Sequence, residues 1–109
     1  MQISVFEILN SANAMFHEDG LKLHGAIMTA LMDQESVTVS FEGIKVLTTQ
    51  FLNASFGKLI VEKGLAFFQD KVEVAATSHL SSYSTKLDWV IDNIKNNDAY
   101  RNIMDTVLA

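Results

Sequence analysis

Apolar positions along the chain follow two periods, and the way those periods alternate predicts its architecture. ISVFEIL, from Ile3 to Leu9, is apolar and partly β-branched and predicts a strand. NSANAMFHEDG is a small-residue, polar connection. Asp19 reads as a helix cap, and Leu23, Ile27, Ala30 and Leu31 follow at helical spacing to about Asp33. ESVTVSFEG alternates, with Val37, Val39 and Phe41 on one side and Thr38 and Ser40 on the other. After a turn at Glu42-Gly43, a helix from about Thr49 to Lys63 carries the stripe Leu52, Phe56, Leu59 and Ile60, and Gly64 is its stop. LAFFQD reads as a short helical turn. KVEVAA reads as a strand with Val72 and Val74 inward. Tyr83, Leu87, Val90, Ile91 and Ile94 form the stripe of a further helix, which begins at Tyr83 or at the capping pair Thr85 and Asp88. NNDA caps a last helix bearing Tyr100, Ile103, Met104, Val107 and Leu108.

The order strand, helix, strand, helix, strand, helix, helix predicts one α/β domain over residues 1–109, with a small, mostly parallel or mixed sheet. Strands covered on both sides are apolar throughout. The middle and last strands here are polar at alternate residues. Helices are therefore expected mainly on one face. The expected core is Val37, Val39, Phe41, Leu52, Phe56, Leu59, Val72, Val74, Leu87 and Ile91.

Composition narrows the chemistry. Hydrophobic residues make up 49% of the chain, enough to drive folding without metal or disulfides. The absence of cysteine excludes disulfides, zinc-thiolate sites and a cysteine nucleophile. Net charge is −5, and Lys22, Lys45, Lys58, Lys63, Lys71, Lys86, Lys95 and Arg101 are scattered, so no basic stripe exists to track nucleic acid. No apolar run reaches the length of a membrane span, and MQISVFEILN lacks the basic start of a signal peptide, which fits a soluble cytoplasmic protein. The chain has no G-x-G-x-x-G, Walker or G-x-S-x-G motif, and no cofactor is expected.

Four features are candidates for function. Thr49, Gln50, Asn53, Ala54, Gly57 and Val61 form a small, polar strip beside the core stripe of the second helix. It serves either close packing or a shallow groove for a partner. Thr48 or Thr49 caps that helix, or accepts a phosphate at its N-terminus. His17, Glu18, Asp19 and His24 are the residue types of a metal-dependent enzyme or of a ligand-binding protein. They lack a recognised metal spacing, and acids at such a place ordinarily serve the helix dipole. Trp89 falls off the stripe of its helix, as a partly buried core residue or as an anchor for self-association into a homo-oligomer.

VSFEGIKVLTTQFLNASFGKLIVEKGL resembles the centre of the STAS-like α/β domain family, a bacterial group with no settled function. The match rests on Phe41, Glu42, Gly43, Thr48, Thr49, Phe51, Leu52, Gly57, Lys58 and Leu59. KVEVAA and WVIDNI fall where the family places its next strand and helix, and the two ends of the chain match only in outline. That family is similar in turn to anti-sigma-factor antagonists. In those, a Ser or Thr at the start of the equivalent helix is phosphorylated by a kinase with an ATP-binding fold, and this switches partner binding. The resemblance thus implies a non-enzymatic regulatory module. Its partner would be a kinase or anti-sigma-like protein, its phospho-acceptor Thr49 or Thr48, and its contact residues Gln50, Asn53, Ala54 and Gly57. This chain departs from the antagonist pattern Asp-Ser-Ser/Thr-Gly. It also carries Gln50, which cannot accept phosphate, where STAS-like relatives tend to carry Ser.

Overall fold

The computed structural model describes the backbone of residues 1–108 and the side chains of residues 1–96. In chain order the elements are β1 (Gln2–Ser4), α1 (Val5–Leu9), β2 (Asn13–Ala14), α2 (His17–Leu31), β3 (Val37–Ser40), β4 (Val46–Leu47) and α3 (Thr49–Leu52). A π-helical segment (Asn53–Gly57) joins α3 to α4 (Lys58–Lys63). Then come α5 (Leu65–Lys71), β5 (Val72–Ala75) and α6 (Tyr83–Leu108).

The main sheet is fully parallel, in the order β1-β3-β5. Its register aligns Ile3, Val39 and Val74 across the three strands, and Val37 with Val72. This apolar face carries the helices. The opposite face presents Gln2, Thr38 and Glu73 in one row and Ser4, Ser40 and Ala75 in the next. The alternation of the strands thus matches a sheet whose second face is open at Gln2 and Glu73 and closed at Ser40, which is buried. A second, two-stranded parallel sheet pairs β2 with β4 through Asn13–Val46 and Ala14–Leu47.

Three boundaries differ from the sequence reading, each for a local reason. ISVFEIL is not one strand. The Ser4 hydroxyl accepts the Glu7 N–H at 3.2 Å and turns the chain into α1. Ser4 and Glu7 stand in the S-x-x-E spacing of a capping box, which outweighs the β-branched residues around it. α2 starts at His17, so Asp19 is not its cap but an acid of its first turn, beside Glu18. NNDA does not break the last helix: α6 runs unbroken to Leu108, and neither Gly nor Pro stands there to stop it. The side chains of Tyr100, Ile103, Met104, Val107 and Leu108 lie outside the described residues.

An aromatic cluster fills the centre. The Phe41 ring lies 6.5 Å from Phe51, 6.2 Å from Phe56 and 5.8 Å from Tyr83, and Phe56 lies 5.0 Å from Phe68. Of the expected core, Val37, Val39, Phe41, Leu52, Phe56, Leu59 and Val72 are buried, while Val74, Leu87 and Ile91 pack partly buried against it. Burial pushes the Tyr83 phenol up to about 12 from its ordinary 10.0. The neutral phenol is the form the fold favours. Its contribution is therefore complete below about pH 10 and declines as pH rises towards 12. Tyr83→Phe should resist alkaline unfolding better than the parent chain, as read from urea midpoints across that window. Parallel loss in both proteins would place the sensitive group elsewhere.

Candidate functional site

The segment from Phe41 to Gln50 links the carboxyl end of the central strand to the central helix. It opens with a turn in which the Ile44 N–H donates to the Phe41 carbonyl at 3.0 Å. Gly43 occupies its third position with φ 85°, the feature of a type II turn that glycine satisfies without strain. Ile44 and Leu47 then point into the core. The backbone between them is held from three sides. Lys45 N–H donates to Ala12 O at 2.7 Å, His79 Nε2–H to Ile44 O at 2.7 Å, and the Lys86 ammonium to Leu47 O at 2.5 Å. These partners come from the β2 connection, the loop before α6, and α6 itself. The segment is a braced platform.

The two threonines do different things. Thr48 uses its hydroxyl twice: it accepts the Phe51 N–H at 3.2 Å and donates to the Met15 carbonyl at 2.6 Å. It is the N-cap of α3 and a tie to the β2–α2 connection. Thr49, the first residue of α3, is half-buried and makes no side-chain hydrogen bond among the described residues. Of the two hydroxyls, that of Thr49 is the one without a hydrogen-bond partner among the described residues.

The strip beside them divides as well. Gln50 and Asn53 are exposed. Ala54 and Gly57 are buried and do not join them at the surface. Ala54 lies beneath Gly20 of α2. A Cβ on Gly20 would stand 2.6 Å from the Ala54 Cβ and 2.5 Å from the Phe51 carbonyl oxygen. Gly57 lies beneath α6, where an added Cβ would meet Val90 at 3.1 Å and the Asn53 amide oxygen at 3.0 Å. The small residues are thus the seams where α2 and α6 cross the central helix. At Ser55 the hydroxyl, fully buried, donates to Phe51 O at 2.9 Å. This side-chain bond accompanies the π-helical widening at Asn53–Gly57.

Sequence reasoning passed over Phe16. It is 62% exposed and follows Met15, whose carbonyl holds Thr48. Val46, 40% exposed, stands two residues before Thr48. The Thr48–Met15 hydrogen bond thus joins the chain just before Phe16 to the segment that carries Val46, Thr49 and Gln50. The available signal was a single large aromatic inside an otherwise small and polar connection, NSANAMFHEDG.

The histidine and acid cluster is not brought together as a site. His24 Nε2–H donates to Glu62 Oε1 at 2.5 Å, and Lys58 Nζ lies 4.0 Å from the other oxygen of Glu62. His24 therefore ties α2 to α4, while His17 and Glu18 stand exposed on the first turn of α2. Among the described residues no group of three or more His, Asp or Glu is placed to hold a metal. Trp89 is 55% exposed on α6. No helix among the described residues is long and apolar enough to cross a membrane.

A family model described as a STAS-like domain of unknown function (DUF4325) matches residues 19–81, from the first turn of α2 to the loop before α6. Neither a curated protein nor a solved structure matches the chain.

Proposed function

Because the chain belongs to the family of STAS-like domains of unknown function, we propose that it is a non-enzymatic regulatory module that binds a protein partner at the start of α3. The reading rests on one observation: the Thr48 hydroxyl ties the Met15 carbonyl, one residue before the exposed Phe16, to the start of α3, where Gln50 is exposed and the Thr49 hydroxyl has no hydrogen-bond partner among the described residues. An exposed aromatic on a rigid backbone loses little conformational freedom on binding and can anchor an interface. The resemblance to anti-sigma-factor antagonists supports a partner of the kinase or anti-sigma type, met in the cytoplasm of a bacterium.

Thr49 is the proposed switch residue. A phosphate there would sit at a helix start, where negative charge is favoured. It would change the face the partner meets without breaking the cap, which belongs to Thr48. Both parts of the reading are tested by size-exclusion chromatography of tagged chain from its native cells. Parent chain should elute with a partner, above its own 12.1 kDa. Phe16→Ala and Thr49→Glu should each elute free while keeping the parent unfolding midpoint. Co-elution that survives both substitutions would move the interface elsewhere.

A further inference from the structure

A cleft of about 530 Å³, which shares no lining residue with the start of α3, opens between β1, α1 and α2. Its volume lies within the range of ligand sites, roughly 300 to 1,000 Å³. Met1 to Ser4 form one wall, and no residue of β3 takes part. α2 forms the other wall with Gly25, Ala26, Thr29 and Ala30, continued by Asp33 and Gln34 of the turn that follows it. The side chains nearest β1 on that helix are small, so helix and strand stand apart where larger residues would have closed the gap.

The strand wall is an open sheet edge. Among the described residues β1 pairs with β3 alone. The Thr38 N–H donates to the Met1 carbonyl at 2.9 Å, so Met1 and Ile3 direct their backbone groups towards β3. Alternate residues of a strand point these groups to opposite sides. The Gln2 N–H and C=O therefore face away from β3, to the side on which the cleft lies. An edge strand beside a helix is the geometry in which an extended peptide adds a strand, its backbone giving affinity and alternate side chains giving specificity. The floor includes Ile3 and Ile8, while Glu7 and Asp33 are the charged residues of the lining. Among the described residues no Lys, Arg or His lines the cleft, and neither acid has an ion-pair partner.

We propose that this cleft is a second interaction site, which takes an extended peptide segment of alternating apolar and basic residues as an added strand on β1. The apolar side chains would enter towards Ile3, Ile8 and Ala30. The basic ones would meet Glu7 and Asp33. The site stands apart from the start of α3, and neither reading needs the other.

Gly25 supplies a clean test. A Cβ built on it meets nothing within 4 Å, and the residue is exposed. Gly25→Leu therefore fills the cleft mouth without a clash and replaces a poor helix former by a good one. The probe is a fluorescein-labelled Lys-Val-Lys-Val-Lys-Val peptide titrated with the whole chain and read by fluorescence polarisation. Saturable binding is expected, absent for the Glu-Val counterpart. It should weaken at least about tenfold in Gly25→Leu and in Asp33→Lys, with the unfolding midpoint of Gly25→Leu kept or raised. Methylating the peptide's alternate backbone amides should weaken it similarly. No binding, binding unchanged in Gly25→Leu, or indifference to amide methylation overturns the proposal. Self-association that Gly25→Leu abolishes would also overturn it, by assigning the edge to a second copy of the chain.

Discussion

Phe41→Ala should cost about 4 kcal/mol of folding stability, the range found when a buried phenylalanine is cut to alanine. Phe41 is fully buried at the end of the central strand, and its ring meets Phe51 of α3, Phe56 of the π-helical segment and Tyr83 of α6. Three separate elements converge on one side chain, so no single shift of a neighbour can refill the space. Much of the cost is hydrophobic transfer and the remainder is the cavity. A small domain has roughly 5 to 15 kcal/mol in total, so the variant should be marginal at best. Urea unfolding followed by Trp89 fluorescence checks it, and a loss below about 2 kcal/mol would show that the cluster closes over the gap.

Gly20→Ala should cost about 3 kcal/mol, against a propensity scale that favours alanine in a helix by about 1 kcal/mol. The added methyl would stand 2.5 Å from the Phe51 carbonyl oxygen and 2.6 Å from the Ala54 Cβ. Neither is the end of a flexible chain that can swing aside. The helices must separate, and the first residues of α3 move with them. The same urea measurement gives the cost. Pairing it with Ala54→Gly should recover only part, because the carbonyl contact remains. Full recovery would mean that the side chain alone sets the spacing.

How much of this was legible in the chain follows from the length over which each signal repeats. Val37, Val39, Phe41, Val72 and Val74 alternate over whole strands, so the sheet and its covered face could be read directly. The stripe of Leu52, Phe56, Leu59 and Ile60 likewise located the central helix. β2 and β4 have two residues each, too few for any period, and their existence depends on partners distant in sequence. α1 was legible only through the Ser4–Glu7 spacing, and the hydrophobic run around it masked that signal.

The site was read in part for a related reason. Thr48 and Thr49 were found as neighbours at a helix start. The cap bond from the Phe51 N–H and the tie to Met15 distinguish the occupied hydroxyl from the other. Ala54 and Gly57 were visible as small residues, but small residues suit a groove and a helix seam equally. Gly20 and Val90, which settle the matter, lie more than thirty residues away along the chain. His24 was grouped with its sequence neighbours, whereas its hydrogen-bond partner is Glu62 on another helix.

The most direct test of the proposed binding face is a photo-activated crosslinking residue placed at Gln50 in the native cell, with one at Gln69 on α5 as the control. Both positions are exposed. A discrete product heavier than the 12.1 kDa chain should form from position 50, not from position 69, and should vanish when Phe16→Ala is added. Equal products from both positions, or a product at position 50 that persists without the Phe16 ring, would contradict the claim that the start of α3 is where this domain meets its partner.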